Sequence, residues 1–229
     1  MINKNVLHIE SIRGEDFSLK HRIYTSLKEA ILATNIYDDD VDLKLDERTI
    51  SEQFGISRTP LREAISRLEH EGLVRVISRR GVYIHRKSKD EILDMILAWA
   101  ALESMAARMA VEVASAAELK ELRGIVDEFD SNHLADHANE YSDSNIRFHQ
   151  TIIKLGKSQQ IIRMTDEILM HVRAIRARTI TDSNRIQQSL TDHLEIVAAL
   201  EARDADLACE LVREHSLNLR KHVALNLHL

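Results

Sequence analysis

Apolar residues recur at i, i+3, i+4 and i+7 along most of this chain, the spacing of helices with one buried face. Ile23, Leu27, Ala30 and Ile31 predict a first helix over about residues 19–34. An acidic connection, YDDDVDLKLDER, then leads to Asp46, placed to cap a short helix, ERTISEQFG, that ends at Gly55, a natural left-handed stop. Ser57 is placed to cap the next helix, in which Leu61, Ala64, Ile65 and Leu68 form the buried face and leave Arg58, Arg62, Ser66 and Arg67 outside it. Pro60, the only proline, falls in the first turn, where its missing N–H would have had no helical partner, so it starts the helix. Gly72 stops it. LVRVI and GVYIH then alternate apolar and polar residues around SRRG, which predicts a small hairpin with arginines and Gly81 at its tip.

The order helix, short helix, turn, helix, hairpin predicts a winged helix-turn-helix over residues 18–87, preceded by a polar arm at 1–17. Beyond it the pattern is purely helical. Ser88 with Glu91, and Ser115 with Glu118, have the spacing of capping boxes that open long helices. Further helices are predicted over about 137–155, 159–179, 184–202 and 205–226, with breaks at Gly156-Lys157-Ser158, Thr181-Asp182-Ser183 and Arg203-Asp204. The expected fold is mainly α: a winged domain followed by an all-α, six-helix bundle over residues 88–229.

Composition supports this reading. Six glycines, one proline and 4% aromatic residues leave little material for sheets and turns, and 44% hydrophobic residues suffice for a real core. Cys209 is alone, so no disulfide can form within the chain, and no run has the length and apolarity of a signal peptide or membrane span; both predict a cytoplasmic protein. The formal charge of −6 argues against nucleic acid only as an average. Between Arg48 and Lys87 there are nine basic residues and four acidic ones, a surplus of five positive charges that leaves −11 for the rest. A compact positive segment in an acidic chain is what polyanion binding requires.

Arg58 and Arg62 share a face at the start of a helix, where the free N–H groups already favour negative charge. Such a local conflict points to an anion supplied from outside, as when a helix enters the major groove tip first. The plainer alternative is surface ion pairing, such as Glu63 with Arg67 at i, i+4. The stretch LDERTISEQFGISRTPLREAISRLEHEGLVRVISRRGVYI resembles the N-terminal domain of the GntR family of bacterial transcription regulators, over about residues 18–86. The resemblance implies that Arg48, Arg58, Thr59 and Arg62 contact double-stranded DNA and that Arg80 and Gly81 form the wing tip entering the minor groove. Arg67 and Arg75 are left as structural or phosphate-contacting residues.

In the second domain Asn145 and His149 stand four apart near an apolar stripe, while His193 and His215 come from two other helices. Such a set can build a metal site in a bundle, or serve as hydrogen-bonded core histidines. Residues 88–226 resemble the FadR-type ligand-binding (FCD) domain of GntR regulators in its VanR-like six-helix form. That resemblance implies a divalent metal, zinc first with nickel and manganese as alternatives, held by residues 145, 149, 193 and 215. The family usually has aspartate where this chain has Asn145, so three neutral imidazoles and a carboxamide would leave the ion's charge uncompensated, or open to a carboxylate effector. Trp99 stands where relatives often carry an arginine for an acidic ligand. Trp99, His171, Arg173 and Arg176 are the effector-pocket candidates, although the last three read first as a solvated basic face.

The expected function is that of a ligand-responsive repressor, a cytoplasmic homodimer on a palindromic operator, with a small organic acid as effector. Two alternatives remain at this point: a DNA-binding scaffold without metal or effector, and a metal-dependent enzyme fused to a DNA-binding module, for which no H-E-x-x-H element is present.

Overall fold

The computed structural model describes residues 19–34, 36–37, 40–128, 138–179 and 183–226; the expected arm at 1–17 and the break at Thr181 and Asp182 lie outside the described residues. The chain divides into two compact units, Met1–Lys87 and Ser88–Leu229.

In the first unit, α1 (Leu19–Ala33) is followed by β1 (Lys44–Leu45), α2 (Glu47–Phe54), α3 (Arg58–His70), β2 (Val74–Ile77) and β3 (Gly81–Ile84). Asp46 caps α2 by accepting from the backbone N–H groups of Arg48 and Thr49, and Gly55 ends it in the left-handed region at φ 64°. Ser57 occupies the N-cap position of α3 but makes no side-chain capping bond, contrary to expectation. The cap oxygen normally takes an N–H from the second or third helical residue, and the third here is Pro60, which has none. The three strands form an antiparallel sheet in the order β1-β3-β2, with Leu45 opposite Val82 and Val76 opposite Val82 on the other side. Strand β1 was not expected from the acidic connection; Leu45 is buried and Lys44 exposed, so two residues suffice to pair one edge of the hairpin.

The first unit is tied together by a polar cluster. The Tyr24 hydroxyl (α1) donates to the Glu71 carboxylate at 2.7 Å, Lys28 Nζ donates to Glu71 Oε2 at 2.9 Å, and the Arg67 guanidinium lies 3.7 Å from the Tyr24 ring centroid. Glu71 follows α3 as its C-cap, so these bonds fasten α1 to α3.

The second unit contains, among the described residues, α4 (Lys89–Val113), α5 (Ala116–Asp127), α6 (Ala138–Leu155), α7 (Gln159–Thr179), α8 (Ser183–Glu201) and α9 (Ala205–Asn226). Both capping boxes form, at Ser88/Glu91 and Ser115/Glu118. Alanines on the inward face of α4 (Ala107, Ala110) let α6, α8 and α9 approach closely, and Phe148, Ile152, Val197, Leu200 and Val212 fill the core. Gly156 ends α6 against Ala106, whose backbone oxygen would lie 2.8 Å from a Cβ at that position, so only glycine fits without a shift. No described helix is long and apolar enough to cross a membrane.

Candidate functional site

Arg58, Thr59 and Arg62 are exposed at the start of α3, as is Arg48 in the first turn of α2. The core keeps them there: Leu61, Ala64, Ile65 and Leu68 are buried on the opposite face of α3. Arg62 Nε donates to Glu47 at 2.9 Å and Arg48 Nε to Glu52 at 2.9 Å. The Glu63–Arg67 pair offered as the plainer alternative does not form among the described residues. Glu63 pairs instead with Lys20, and Arg67 turns to Glu71 at 3.3 Å, where the Tyr24 ring offers a second favourable contact. At the hairpin, Arg79 (φ 62°) and Gly81 (φ 114°) take left-handed backbone, Arg80 is exposed, and the Tyr83 hydroxyl donates to the Arg80 carbonyl at 3.2 Å, fixing the tip.

In the second unit His149 (α6), His193 (α8) and His215 (α9) converge. One ring nitrogen from each lies within 4.8 Å of the others, and all three residues are buried. The His149 and His215 rings stack at 5.2 Å, and Phe148 stacks on His193 at 4.0 Å. One turn before His149, Asn145 is 2% exposed, and neither its Oδ1 nor its Nδ2 has a hydrogen-bond partner among the described residues. A buried carboxamide in that state costs a few kcal/mol unless something binds it.

Two carboxylates stand behind the imidazoles. His149 Nδ1 is 2.5 Å from Glu103 Oε1, and His215 Nδ1 is 2.8 Å from Asp192 Oδ2. A carboxylate accepts, so Nδ1 is the donor in each pair, and in the neutral ring Nε2 is left with its lone pair. Burial alone would raise the Asp192 carboxyl, but the hydrogen bonds from His215 and Gln188 hold it below its ordinary value. Three converging imidazoles, two of them held at Nδ1 by a carboxylate, with an unsatisfied carboxamide one turn before His149, fit a divalent transition metal.

The profile for "Bacterial regulatory proteins, gntR family" matches residues 19–84, and that for the FCD domain matches residues 94–218, more than half of the chain. The chain belongs to the FCD-containing GntR regulators. It is therefore a DNA-binding transcription regulator with an effector-binding second domain, not an enzyme. Among its relatives, the "HTH-type transcriptional repressor GlaR" of Escherichia coli (strain K12) is 27% identical over 214 residues, covering 85% of this chain and 90% of that protein. The "Nta operon transcriptional regulator" of Aminobacter aminovorans is 28% identical over 180 residues, covering 78% and 82%. A GntR transcriptional regulator from Rhodococcus sp. RHA1 shares the fold, with a TM-score of 0.74 at 19% identity over 91% of this chain and 99% of that one. McbR/YncC of E. coli does so too, with a TM-score of 0.70 at 19% identity over 91% and 98%.

The effector-pocket candidates of this GntR regulator separate. Trp99 is 1% exposed and its Nε1 donates to Glu103 Oε2 at 2.7 Å. The cavity beside it, bounded by Ile153, Ile162, Thr165 and Leu169, has about 10 Å³, room for about one water. His171 is 4% exposed, which rules out the solvated-face reading for that residue; the side chains of Arg173 and Arg176 lie outside the described residues. Sequence reasoning missed Glu103 and Asp192. The signal for Glu103 is a lone acid in the apolar run LAWAALESMAARMA, one turn after Trp99.

Proposed function

We propose that this regulator is a cytoplasmic homodimeric repressor that grips a palindromic operator through Arg48, Arg58, Thr59 and Arg62, with Arg80 and Gly81 as the wing tip in the minor groove. A twofold dimer presents two equivalent α3 helices, so half-sites of matching symmetry follow. The observation that carries this reading is the exposed cationic start of α3, whose own dipole disfavours those charges. The pairs with Glu47 and Glu52 are surface contacts of low worth that a phosphate or a guanine edge can displace.

In the second domain, Asn145, His149, His193 and His215 would hold one divalent ion. Imidazole-rich donors favour zinc or nickel over manganese, which prefers oxygen. The ion supplies a positive coordination position for a carboxylate of a small organic acid. The chain's own residues fix the three rings, exclude water by burial and hold the protons on Nδ1 of His149 and His215. The effector is read at this histidine set, because the space at Trp99 is filled by the indole.

Operator DNA selected from a random duplex pool tests the first part. Arg62→Ala is expected to lose about 1–3 kcal/mol of specific binding, with a smaller salt slope. Unchanged affinity and salt slope would remove Arg62 from the interface.

A further inference from the structure

We infer that Glu103 and Asp192, standing behind His149 and His215, supply the negative charge that residue 145 does not, and that Glu103 is a positioning residue for His149. The inference rests on the metal reading above and adds residues to it.

Glu103 is fully buried, at 0% exposure, on the inward face of α4 among Ile96, Trp99, Ala100, Ala106 and Ala107. An acid in such surroundings is retained only with its lone pairs satisfied. Trp99 Nε1 donates to Oε2 at 2.7 Å, Ser216 Oγ of α9 donates to Oε2 at 3.2 Å, and Oε1 faces His149 Nδ1 at 2.5 Å. Two helices, α4 and α9, therefore aim one carboxylate at the α6 ring that offers its other nitrogen to the histidine cluster. The geometry repeats at the opposite ring. Asp192 Oδ2 meets His215 Nδ1 at 2.8 Å, and Gln188 Nε2 donates to Asp192 Oδ1 at 2.8 Å, fixing the carboxylate plane.

Two carboxylates each one imidazole away from the ion match its two positive charges. A carboxylate fixing Nδ1–H also makes Nε2 a better donor. With Glu103 and Asp192 present, an aspartate at 145 would add a third negative charge to a buried site, whereas the carboxamide of Asn145 offers a neutral oxygen. Trp99 finds its role in the same arrangement. Its indole N–H holds the Glu103 carboxylate in place.

The test is Co(II) titration of full-length metal-free protein, read by the d–d absorbance bands and by competition with Zn(II), for wild type, Glu103→Gln and Asp192→Asn. Metal-free melting midpoints serve as the check on folding. Wild type is expected to take up one Co(II) per chain in a nitrogen-rich site, and each variant to bind at least tenfold more weakly, within the range of about 10–100-fold found for such outer partners. Ser216→Ala, which keeps the carboxylate and removes one hydrogen bond, is expected to stay within threefold. If Glu103→Gln fails to fold, Asp192→Asn, at the more open edge of the site, decides. A folded variant of either residue that loses less than tenfold overturns the inference while leaving the metal reading intact. Wild type that takes up no Co(II) overturns both.

Discussion

Ser57 and Asp46 hold the same position relative to their helices, yet only Asp46 makes the capping bonds. The proline three residues after Ser57 accounts for the difference: it favours the helix start through its fixed φ and removes the N–H that the serine would have taken. Ser57→Ala is therefore expected to change stability by less than about 0.5 kcal/mol, the level of a neutral surface substitution. Asp46→Ala is expected to lower the melting midpoint clearly. Comparing the two midpoints by calorimetry checks this; an equal drop in both would show that Ser57 caps α3 in solution. The same scale contains the chemistry of the second domain. Asn145, one turn before His149 on α6, is buried with both carboxamide atoms unsatisfied among the described residues, which leaves them available to a ligand.

Among the elements, the fastening of α1 to α3 carries a pH dependence. Burial alone would raise the Glu71 carboxyl, but hydrogen bonds from Lys28 and Tyr24 outweigh it and hold it below its ordinary value of 4.5. Lys28 is held above its ordinary 10.5: burial alone would lower it, and the bonds it donates to Tyr24 and Glu71 outweigh that. A depressed carboxyl contributes stability that is complete above its unfolded value and fades as pH falls through the folded one; a raised lysine keeps its contribution until pH climbs past 10.5. The contact is thus whole at neutral pH and weakens in acid. Glu71→Gln is expected to cost about 2 kcal/mol at pH 7 and much less near pH 3, as read from urea unfolding at both values. An equal loss at the two pH values would mean that the charge contributes nothing. Helices were the legible part of this sequence because their signals are local: apolar spacing set α3, and the serine–glutamate boxes set the starts of α4 and α5. Strand β1 was not legible, since two residues carry no period and its partner β3 is about forty positions away. For the same reason the sequence offered the histidines but not their carboxylates. Glu103 meets His149 across 46 positions, and nothing local marks that pairing.

Taken as a whole molecule, the chain separates its charges by task. The positive surplus from Arg48 to Lys87 lies in the unit that meets DNA, and the remainder is acidic. The second unit places its polar investment in the interior, where three rings, a carboxamide and two carboxylates sit within an alanine-rich bundle. The proposed regulation couples those two investments: an acid bound among the histidines would change the affinity for operator, and operator would change the affinity for the acid by the same factor. The measurement that reads this directly is operator affinity of metal-loaded protein across a panel of small organic acids, for wild type and His215→Ala. The account predicts that at least one acid shifts wild-type affinity by about 5–150-fold and leaves the variant unmoved. It is contradicted if no acid shifts the wild type, or if the same acid shifts His215→Ala equally.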